Sequence, residues 1–225
     1  MLLVDDDASS RLLLDKVLAS WGYGVHQTSS AADALGLLRE HSFDVLVTDL
    51  EMPVLSGFVL VRQVRAREER SGIRRVPALA ISGHASLATR RECARLGFDR
   101  VIRKPFDWDT VRSALREVVG AAKNQPAAVK PPEVSAEVRS LLPSFLAARQ
   151  ADYAQMVSAL AERNLRVIGR LGHQLKGSGG SFGFPELSAI GERLEISATG
   201  GDAQACADAL RALEASLRKV AARAA

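Results

Sequence analysis

Cysteine is scarce in this chain, and its scarcity excludes several kinds of protein. The 225 residues contain 2 cysteines, Cys93 and Cys206, which lie far apart in predicted helices. A disulfide framework or a cysteine-rich metal site needs more thiols at closer spacing. We therefore expect both cysteines to be small core residues of a protein in a reducing, cytoplasmic compartment.

Long apolar runs and a strong excess of one charge are also missing. No stretch is long and apolar enough to cross a membrane, and no signal peptide opens the chain, so no membrane contact is expected. The net charge is only +4, and arginines on predicted helix surfaces account for most of it. A solvated helix face explains this excess better than a nucleic-acid-binding patch, so no nucleic-acid partner is expected.

Short apolar runs alternate with helical patterns through the first part of the chain. The predicted strands are Met1–Val4, a short strand near Val25, Val45–Val47, Ala78–Ile81 and Val101–Ile102. The predicted helices are Arg11–Ala19, Ser30–Glu40, Phe58–Glu69, Leu87–Leu96 and Asp107–Val119. This alternation predicts an α/β fold with a parallel, doubly wound sheet.

Charged and hydroxyl groups gather at the carboxyl ends of these strands, where open α/β sheets bind ligands. Asp5 and Asp6 follow the first strand, and Asp49 ends the third. Ser82 ends the fourth strand and Lys104 follows the fifth. Converging carboxylates favour Mg²⁺, while a hydroxyl and an ammonium suit phosphoryl oxygens. The set predicts phosphoryl transfer onto Asp49, with the metal and Lys104 neutralising the transferring group.

Other polar residues near these strands have simpler explanations. Asp7 fits the N-cap of the first helix, where a carboxylate accepts from unpaired backbone N–H groups. His26 and His41 are expected to be surface residues. His84 lies in the loop after Ser82, and its role is left open between a surface residue and a docking contact.

Four ordered motifs carry a resemblance to a known family. They are Leu3-Val4-Asp5-Asp6-Asp7 with Arg11, Thr48-Asp49-Leu50-Glu51-Met52-Pro53 with Gly57, Ile81-Ser82-Gly83-His84-Ala85, and Arg103-Lys104-Pro105-Phe106. Together they resemble the receiver domain of two-component response regulators, over residues 1–120. The resemblance implies a flavodoxin-like fold with strand order 2-1-3-4-5.

The same resemblance implies a role for each site residue. Asp49 would be the phosphoacceptor, Ser82 would bind a phosphoryl oxygen and act in switching, and Lys104 would pair with the phosphoryl group. The implied Mg²⁺ ligands are Asp5 through water, Asp6 directly, Asp49, and the backbone carbonyl of Glu51. The Lys104–Pro105 bond would be cis. One position departs from the family: Val101 stands where an aromatic switch residue is usual, so signalling through an aromatic flip is not implied.

A proline- and alanine-rich linker, residues 121–133, separates this part from a second domain, residues 134–225. No strand-like alternation follows it. The predicted helices are Ala136–Glu162, broken or kinked near Pro143, Asn164–Gly179, Pro185–Ala198 and Asp202–Ala222. Four helices with short connections predict an all-α, antiparallel four-helix bundle.

His173 lies opposite the apolar face of its predicted helix. At about 100° per residue that face comprises Leu165, Ile168, Leu171 and Leu175. A core histidine is therefore excluded. The helical offsets also place Gly169, Lys176, Gly177 and Gly180 beside the imidazole.

Those neighbours favour a functional histidine over an ordinary surface one. Glycine inside a helix costs about 1 kcal/mol relative to alanine, so several on one face indicate that another protein approaches closely. Lys176 can neutralise an anion on the imidazole of His173, and a neutral imidazole is a competent nucleophile toward phosphorus.

The segment His173-x-x-Lys176-Gly177, followed by Ser178-Gly179-Gly180-Ser181-Phe182-Gly183-Phe184, resembles the histidine-containing phosphotransfer (HPt) domain. The resemblance implies that His173 is phosphorylated, with Lys176 as its electrostatic partner. Such domains exchange phosphoryl groups with receivers and do not autophosphorylate.

The sequence therefore predicts a two-component phosphorelay protein. Asp49 would accept a phosphoryl group from a phosphohistidine with Mg²⁺, and His173 would accept one from, or donate one to, a receiver aspartate. No ATP-binding kinase domain is visible, so the expected partners are a histidine kinase in trans, or a missing N-terminal portion of a hybrid sensor kinase, and other receiver domain proteins. Whether the chain is itself an enzyme is left open.

Two alternatives belong to other classes of protein. The first is an interaction module, either regulated by phosphorylation with no onward transfer or carrying vestigial phosphoryl sites; the complete set of acids, Ser82 and Lys104 argues against vestigial sites. The second is a DNA-binding regulator, which needs a helix-turn-helix or winged module that the second part does not display.

Overall fold

The computed structural model describes residues 1–83, 85–119 and 134–224. The chain divides into two compact units, Met1–Val134 and Ser135–Ala225. The predicted linker, residues 121–133, and His84 lie outside the described residues. Among the residues described, no helix combines the length and the apolar character that a membrane span requires.

The first unit contains five strands and five helices. The strands are β1 (Leu2–Val4), β2 (His26–Thr28), β3 (Leu46–Thr48), β4 (Ala78–Ser82) and β5 (Arg100–Arg103). The helices are α1 (Ala8–Ser20), α2 (Ala31–Glu40), α3 (Gly57–Ser71), α4 (Leu87–Leu96) and α5 (Trp108–Val119). All four strand pairs are parallel, in the order β2-β1-β3-β4-β5, which confirms the predicted fold and strand order.

Burial and capping explain why these elements form. Strands β1, β3 and β4 are buried along their whole length, as continuous apolar runs in a parallel sheet should be. Asp7 caps α1 as predicted, because its side chain accepts from the backbone N–H of Ser10 at 2.7 Å. Strand β2 begins at His26, slightly after the predicted position near Val25, and His26 and Gln27 are exposed at the edge of the sheet.

Strand register brings the site residues to one level. Val4 pairs with Thr48, so Asp5 and Asp49 leave β1 and β3 side by side. The backbone N–H of Asp49 donates to the carbonyl of Val4 at 2.8 Å. On the other side, Ser82 pairs with Arg103, and the N–H of Lys104 donates to the Ser82 carbonyl at 2.8 Å. The backbone hydrogen bonds of the sheet therefore fix the relative positions of Asp5, Asp49 and Lys104, independently of any contact between their side chains.

The second unit consists of helices over its described residues. They are α6 (Val134–Ala161), α7 (Leu165–Ser181), α8 (Pro185–Thr199) and α9 (Ala203–Ala224). Helix α6 continues through Pro143, so the predicted alternative of a break is wrong and that of a kink stays a prediction. Proline removes one helical hydrogen bond. Burial of the neighbouring Leu141, Phe145 and Leu146 offsets that loss.

Glycines let α7 and α8 approach each other closely. A Cβ on Gly191 would lie 2.4 Å from the backbone nitrogen of Lys176 and 2.6 Å from the carbonyl oxygen of Gly172. A Cβ on Gly172 would lie 2.8 Å from the Cβ of Leu194. Because these neighbours include backbone atoms that cannot rotate away, the two helices can keep this spacing only with glycine at both positions.

We expect Gly191→Ala to lower the free energy of unfolding by about 2–3 kcal/mol, because the added methyl group overlaps backbone of α7. Gly169→Ala is the matched control: it is also a helical glycine facing the other helix, but its Cβ would lie 3.4 Å from the Cβ of Ala198. That variant should be neutral or more stable by about 0.5 kcal/mol. Urea unfolding followed by circular dichroism measures both, and equal effects would contradict the assignment of Gly191.

Candidate functional site

Lys104 lies between two buried carboxylates at the carboxyl end of the sheet. Its Nζ donates to Oδ2 of Asp49 at 2.6 Å and to Oδ2 of Asp5 at 3.0 Å. Only 3% of the Lys104 side chain is exposed. Three charged groups removed from water are tolerated here because each contacts an opposite charge.

The pKa shifts of these groups follow from their burial and charges. Burial raises the pKa of Asp5 to about 7; Lys104 opposes this change, and the negative charges of Asp49 and Asp7 add to it. Burial alone would lower the pKa of Lys104, but the carboxylates of Asp49 and Asp5 outweigh it and hold that pKa well above its usual range. With both carboxylates ionised the triad carries an excess negative charge, which a bound cation would neutralise.

Backbone groups hold the two carboxylates in place. Oδ1 of Asp49 accepts from the N–H of Glu51 at 3.0 Å, and Oδ1 of Asp5 accepts from the N–H of Asp7 at 2.9 Å. Gly57 closes the loop after β3: a Cβ there would lie 2.2 Å from the carbonyl oxygen of Asp49. The sequence motif with Gly57 therefore has a steric reason, since any side chain would displace the loop that carries Asp49.

The remaining predicted residues of this site lie at the same edge of the sheet. Ser82 is fully buried at the end of β4. Asp6 and Glu51 are half-buried, one residue after Asp5 and two after Asp49. The Lys104–Pro105 peptide is cis, as predicted. Val101, at the position where the family usually has an aromatic residue, is half-buried and packs against the core of the sheet.

His173 lies on α7 and contacts α8. Its Nδ1 is 2.9 Å from Oε1 of Glu195, and its side chain is 20% exposed. The neighbouring Ile168, Leu171 and Leu175 are buried as predicted, whereas Leu165 is half-buried. The imidazole is thus turned away from the apolar face of its own helix, but it is half-buried against the next helix.

Glu195 joins His173 to Lys176. Its Oε2 accepts from Nζ of Lys176 at 3.3 Å, and Nζ also lies 3.1 Å from Oε1 of Glu192. Burial would raise the pKa of Glu195, but the hydrogen bond and charge of His173, with the charge of Lys176, lower it to about 2. The predicted pairing of Lys176 with an anion on the imidazole stays a prediction; in this structure the ammonium contacts two carboxylates of α8.

The contact with Glu195 makes the two imidazole nitrogens of His173 different. When Nδ1 carries the hydrogen and donates it to the Glu195 carboxylate, Nε2 carries the lone pair.

The interpretation of the glycines near His173 as a docking face for another protein also changes, because Gly169 faces Ala198 of α8. Part of the glycine pattern around His173 therefore serves packing within the chain.

Sequence reasoning missed Glu195 and Glu192. Both follow His173 by about twenty residues, on a helix with two other charged residues. Their spacing of three residues places them on one side of α8, which is the signal that was available. Which side of α8 faces α7 depends on how the helices pack.

Comparisons with known proteins divide the chain in the same way. Residues 1–116 match the response regulator receiver domain family, and residues 140–223 match the Hpt domain family. The virulence sensor protein BvgS of Bordetella pertussis is 32% identical over 221 residues, covering 95% of this chain and 18% of BvgS. The transcriptional regulatory protein ZraR of Escherichia coli is 29% identical over 119 residues, covering 53% of this chain and 26% of ZraR.

Solved structures resemble the first part of the chain. The receiver domain of the Francisella response regulator 1452 has a TM-score of 0.50 at 24% identity, covering 54% of this chain and 97% of that domain. A sensor histidine kinase receiver domain from Pseudomonas aeruginosa, solved with a magnesium ion coordinated in its active site cleft, has a TM-score of 0.48 at 28% identity. It covers 53% of this chain, and 95% of that domain is matched.

We expect Glu195→Gln to lower the free energy of unfolding by about 1–2 kcal/mol at pH 7. The folded-state pKa of Glu195 is about 2, below the ordinary value of 4.5, so its carboxylate stabilises the fold fully above pH 4.5. That contribution is lost as the pH falls from 4.5 toward 2. The difference between wild type and variant should therefore shrink over this range.

Urea unfolding at pH 7 and at pH 3 measures this difference. Glu192→Gln is the matched control, because that side chain also contacts Lys176 but is 53% exposed. Its effect should be at most about 0.5 kcal/mol at either pH. A Glu195→Gln effect that is equal at pH 7 and pH 3 would contradict the ionic role of this residue.

Proposed function

The chain belongs to the response regulator receiver family and carries an Hpt domain after its receiver, and on this premise we propose that Asp49 and His173 each carry a phosphoryl group in a relay. A phosphorelay protein needs one acidic and one histidine acceptor. The observation that best supports Asp49 is its buried carboxylate, held by Lys104 beside a second carboxylate at the carboxyl end of the sheet. The observation that best supports His173 is the contact of its Nδ1 with Glu195.

At the first site, an oxygen of Asp49 attacks the phosphorus of a phosphohistidine. The new O–P bond forms as the P–N bond breaks, and the departing imidazole nitrogen keeps the electron pair. The N–H of Glu51 fixes one oxygen of Asp49 during this step. Lys104 already contacts Asp49, so its ammonium is in place to stabilise charge on the transferring group.

The carboxylates of this site fit a magnesium ion. Hard oxygen donors and an excess of negative charge are what Mg²⁺ requires. Asp5, Asp6, Asp49 and the backbone carbonyl of Glu51 would hold it. When bound, Mg²⁺ neutralises phosphoryl oxygens. Ser82 would donate its hydroxyl hydrogen to another phosphoryl oxygen.

At the second site, Nε2 of His173 exchanges a phosphoryl group with a receiver aspartate. Phosphorylation leaves positive charge on the imidazole ring, and the Glu195 carboxylate on Nδ1 stabilises that charge. Lys176 holds the other oxygen of Glu195 and so orients the carboxylate. Glu195 and Lys176 are therefore positioning residues for the nucleophile.

The partners follow from the two reactions. A histidine kinase supplies the phosphoryl group, and other receiver domain proteins exchange it with His173. The donor kinase uses ATP, so we place the chain in the cytoplasm. Since the chain spans only 18% of BvgS, a place within a longer sensor kinase is part of this proposal.

Incubation with radiolabelled phosphoramidate, a small-molecule phosphodonor, should label two residues that differ in chemical stability. We expect Asp49→Asn to remove a hydroxylamine-labile label and His173→Gln to remove an acid-labile label, because acyl phosphates and phosphohistidines differ in these stabilities. The double variant should take up no label. Asp33→Asn and His41→Gln, which change exposed residues of the same types, are the controls. Label that persists in the double variant would refute both assignments.

Removal of magnesium should affect the labelling of Asp49 and of His173 differently. With EDTA in excess, we expect labelling of Asp49 to fall at least about tenfold, because the transferring group loses a divalent cation near the carboxylates. Labelling of His173 should change less than about twofold, since Lys176 and Glu195 supply its charges. Parallel assays on Asp49→Asn and His173→Gln chains measure each site alone. Equal losses at both sites would contradict the assignment of the metal to the Asp49 site.

A further inference from the structure

Val54 has an unfavourable backbone conformation. Its φ is +67°, in the left-handed region that β-branched residues avoid. The N–H of Leu55 donates to the carbonyl of Pro53 at 2.7 Å, which closes a three-residue turn with Val54 at its centre. A γ-turn with positive φ at the centre is rare and strained, and glycine or asparagine would fit it better.

The side chain of Val54 does not stabilise the fold by burial. It is fully exposed, more so than any of the other large apolar residues that the structure leaves exposed. Apolar side chains stabilise a fold by leaving water, and this one does not leave it. Strain that the fold does not offset is typical of positions used for function.

The position of Val54 indicates which function this is. It follows Asp49 by five residues, in the loop that the Gly57 N–H ties back to the carbonyl of Leu50 at 3.0 Å. Since attack on phosphorus requires contact distance, the protein that brings a phosphohistidine to Asp49 must also come close to this loop.

The second unit, which contains His173, also has an exposed apolar residue. Ile196 is 64% exposed on α8. It directly follows Glu195, which contacts His173, and lies one turn after Glu192, which contacts Lys176. An exposed apolar residue thus lies next in the chain to the carboxylate that contacts His173, just as Val54 lies five residues after Asp49.

We propose that Val54 is a recognition residue that packs, during phosphoryl transfer, on Ile196 of a second copy of this chain, on the helix that contacts His173. This inference rests on the proposed function and adds a specific contact to it. Burial of both side chains in the encounter would supply the apolar contact that neither makes in the isolated chain.

Transfer between two marked chains tests this proposal. The donor is the full chain with Asp49→Asn, phosphorylated on His173 by labelled phosphoramidate and then freed of excess reagent. The acceptor is the full chain with His173→Gln and an affinity tag that separates the two on a gel. We expect Val54→Asn in the acceptor to slow transfer about tenfold, and Ile196→Asn in the donor to do the same. Val54→Met, which keeps an apolar side chain without β-branching, should stay within about twofold of wild type.

Two further measurements separate recognition from folding and chemistry. Val54→Asn should raise the unfolding temperature by about 2–5 °C, because asparagine tolerates the left-handed conformation. Direct labelling of Asp49 by phosphoramidate should be unchanged, since that donor is too small to need docking. Ile73→Asn is the matched control: Ile73 is 43% exposed and precedes β4, at the opposite end of the sheet. It should leave transfer unchanged.

Several results would overturn the inference. Undiminished transfer to the Val54→Asn acceptor, or equal losses for Val54→Asn and Ile73→Asn, would show that the side chain is not recognised. Absence of transfer between the unmodified donor and acceptor, with Asp49 still labelled by phosphoramidate, would refute the second copy as partner and leave the proposed function intact. Failure of phosphoramidate to label Asp49 would refute the proposed function and this inference together.

Discussion

The ammonium of Lys104 between the carboxylates of Asp5 and Asp49 is the contact on which the first unit depends. Like charges cannot share a buried edge of a sheet without a cation, and the parallel ladder delivers all three groups to that edge. The strand register, the cap of α1 and the glycine at position 57 can all be understood as conditions for this arrangement. The resulting site is short of positive charge, which suits the arrival of a metal and a phosphoryl group together.

The second unit also brings charged groups together at one site, but with a different balance of charges. His173 must be reactive and yet oriented, and a single carboxylate from the next helix meets both needs. The pKa of Glu195 is held low by its hydrogen bond with His173 and by the charge of Lys176, so the histidine has an anionic partner before phosphorylation. The acidic site has an excess of negative charge, whereas the histidine site has charged partners from the next helix. In the proposed relay, this contrast would give the two phosphoryl carriers different chemical requirements.

Much of the first unit was predictable because its signals are local. The acid pair, Asp49 and Lys104 follow from where apolar runs end, and parallel strands turn those positions into neighbours in space. The strand order, in contrast, was predicted from the resemblance to receiver domains. Glu195 was not predictable in the same way, since the rotation of α8 about its axis is set by glycine contacts with α7. Pro143 was misjudged for a similar reason: packing of Leu141 and Phe145 overrides a local helix-breaking signal. The strain at Val54 has no sequence signature beyond a β-branched residue after proline.

In the proposed relay, the contact of Nδ1 with Glu195 would also determine which isomer of phosphohistidine forms. In an unfolded chain either ring nitrogen can carry the hydrogen, so both isomers would form. In the folded unit, the spacing of α7 and α8 keeps the carboxylate 2.9 Å from Nδ1, and would direct a phosphoryl group to the other nitrogen. Regiochemistry is then a product of tertiary structure, and the ratio of the two isomers reports how much of the helical unit is correctly folded.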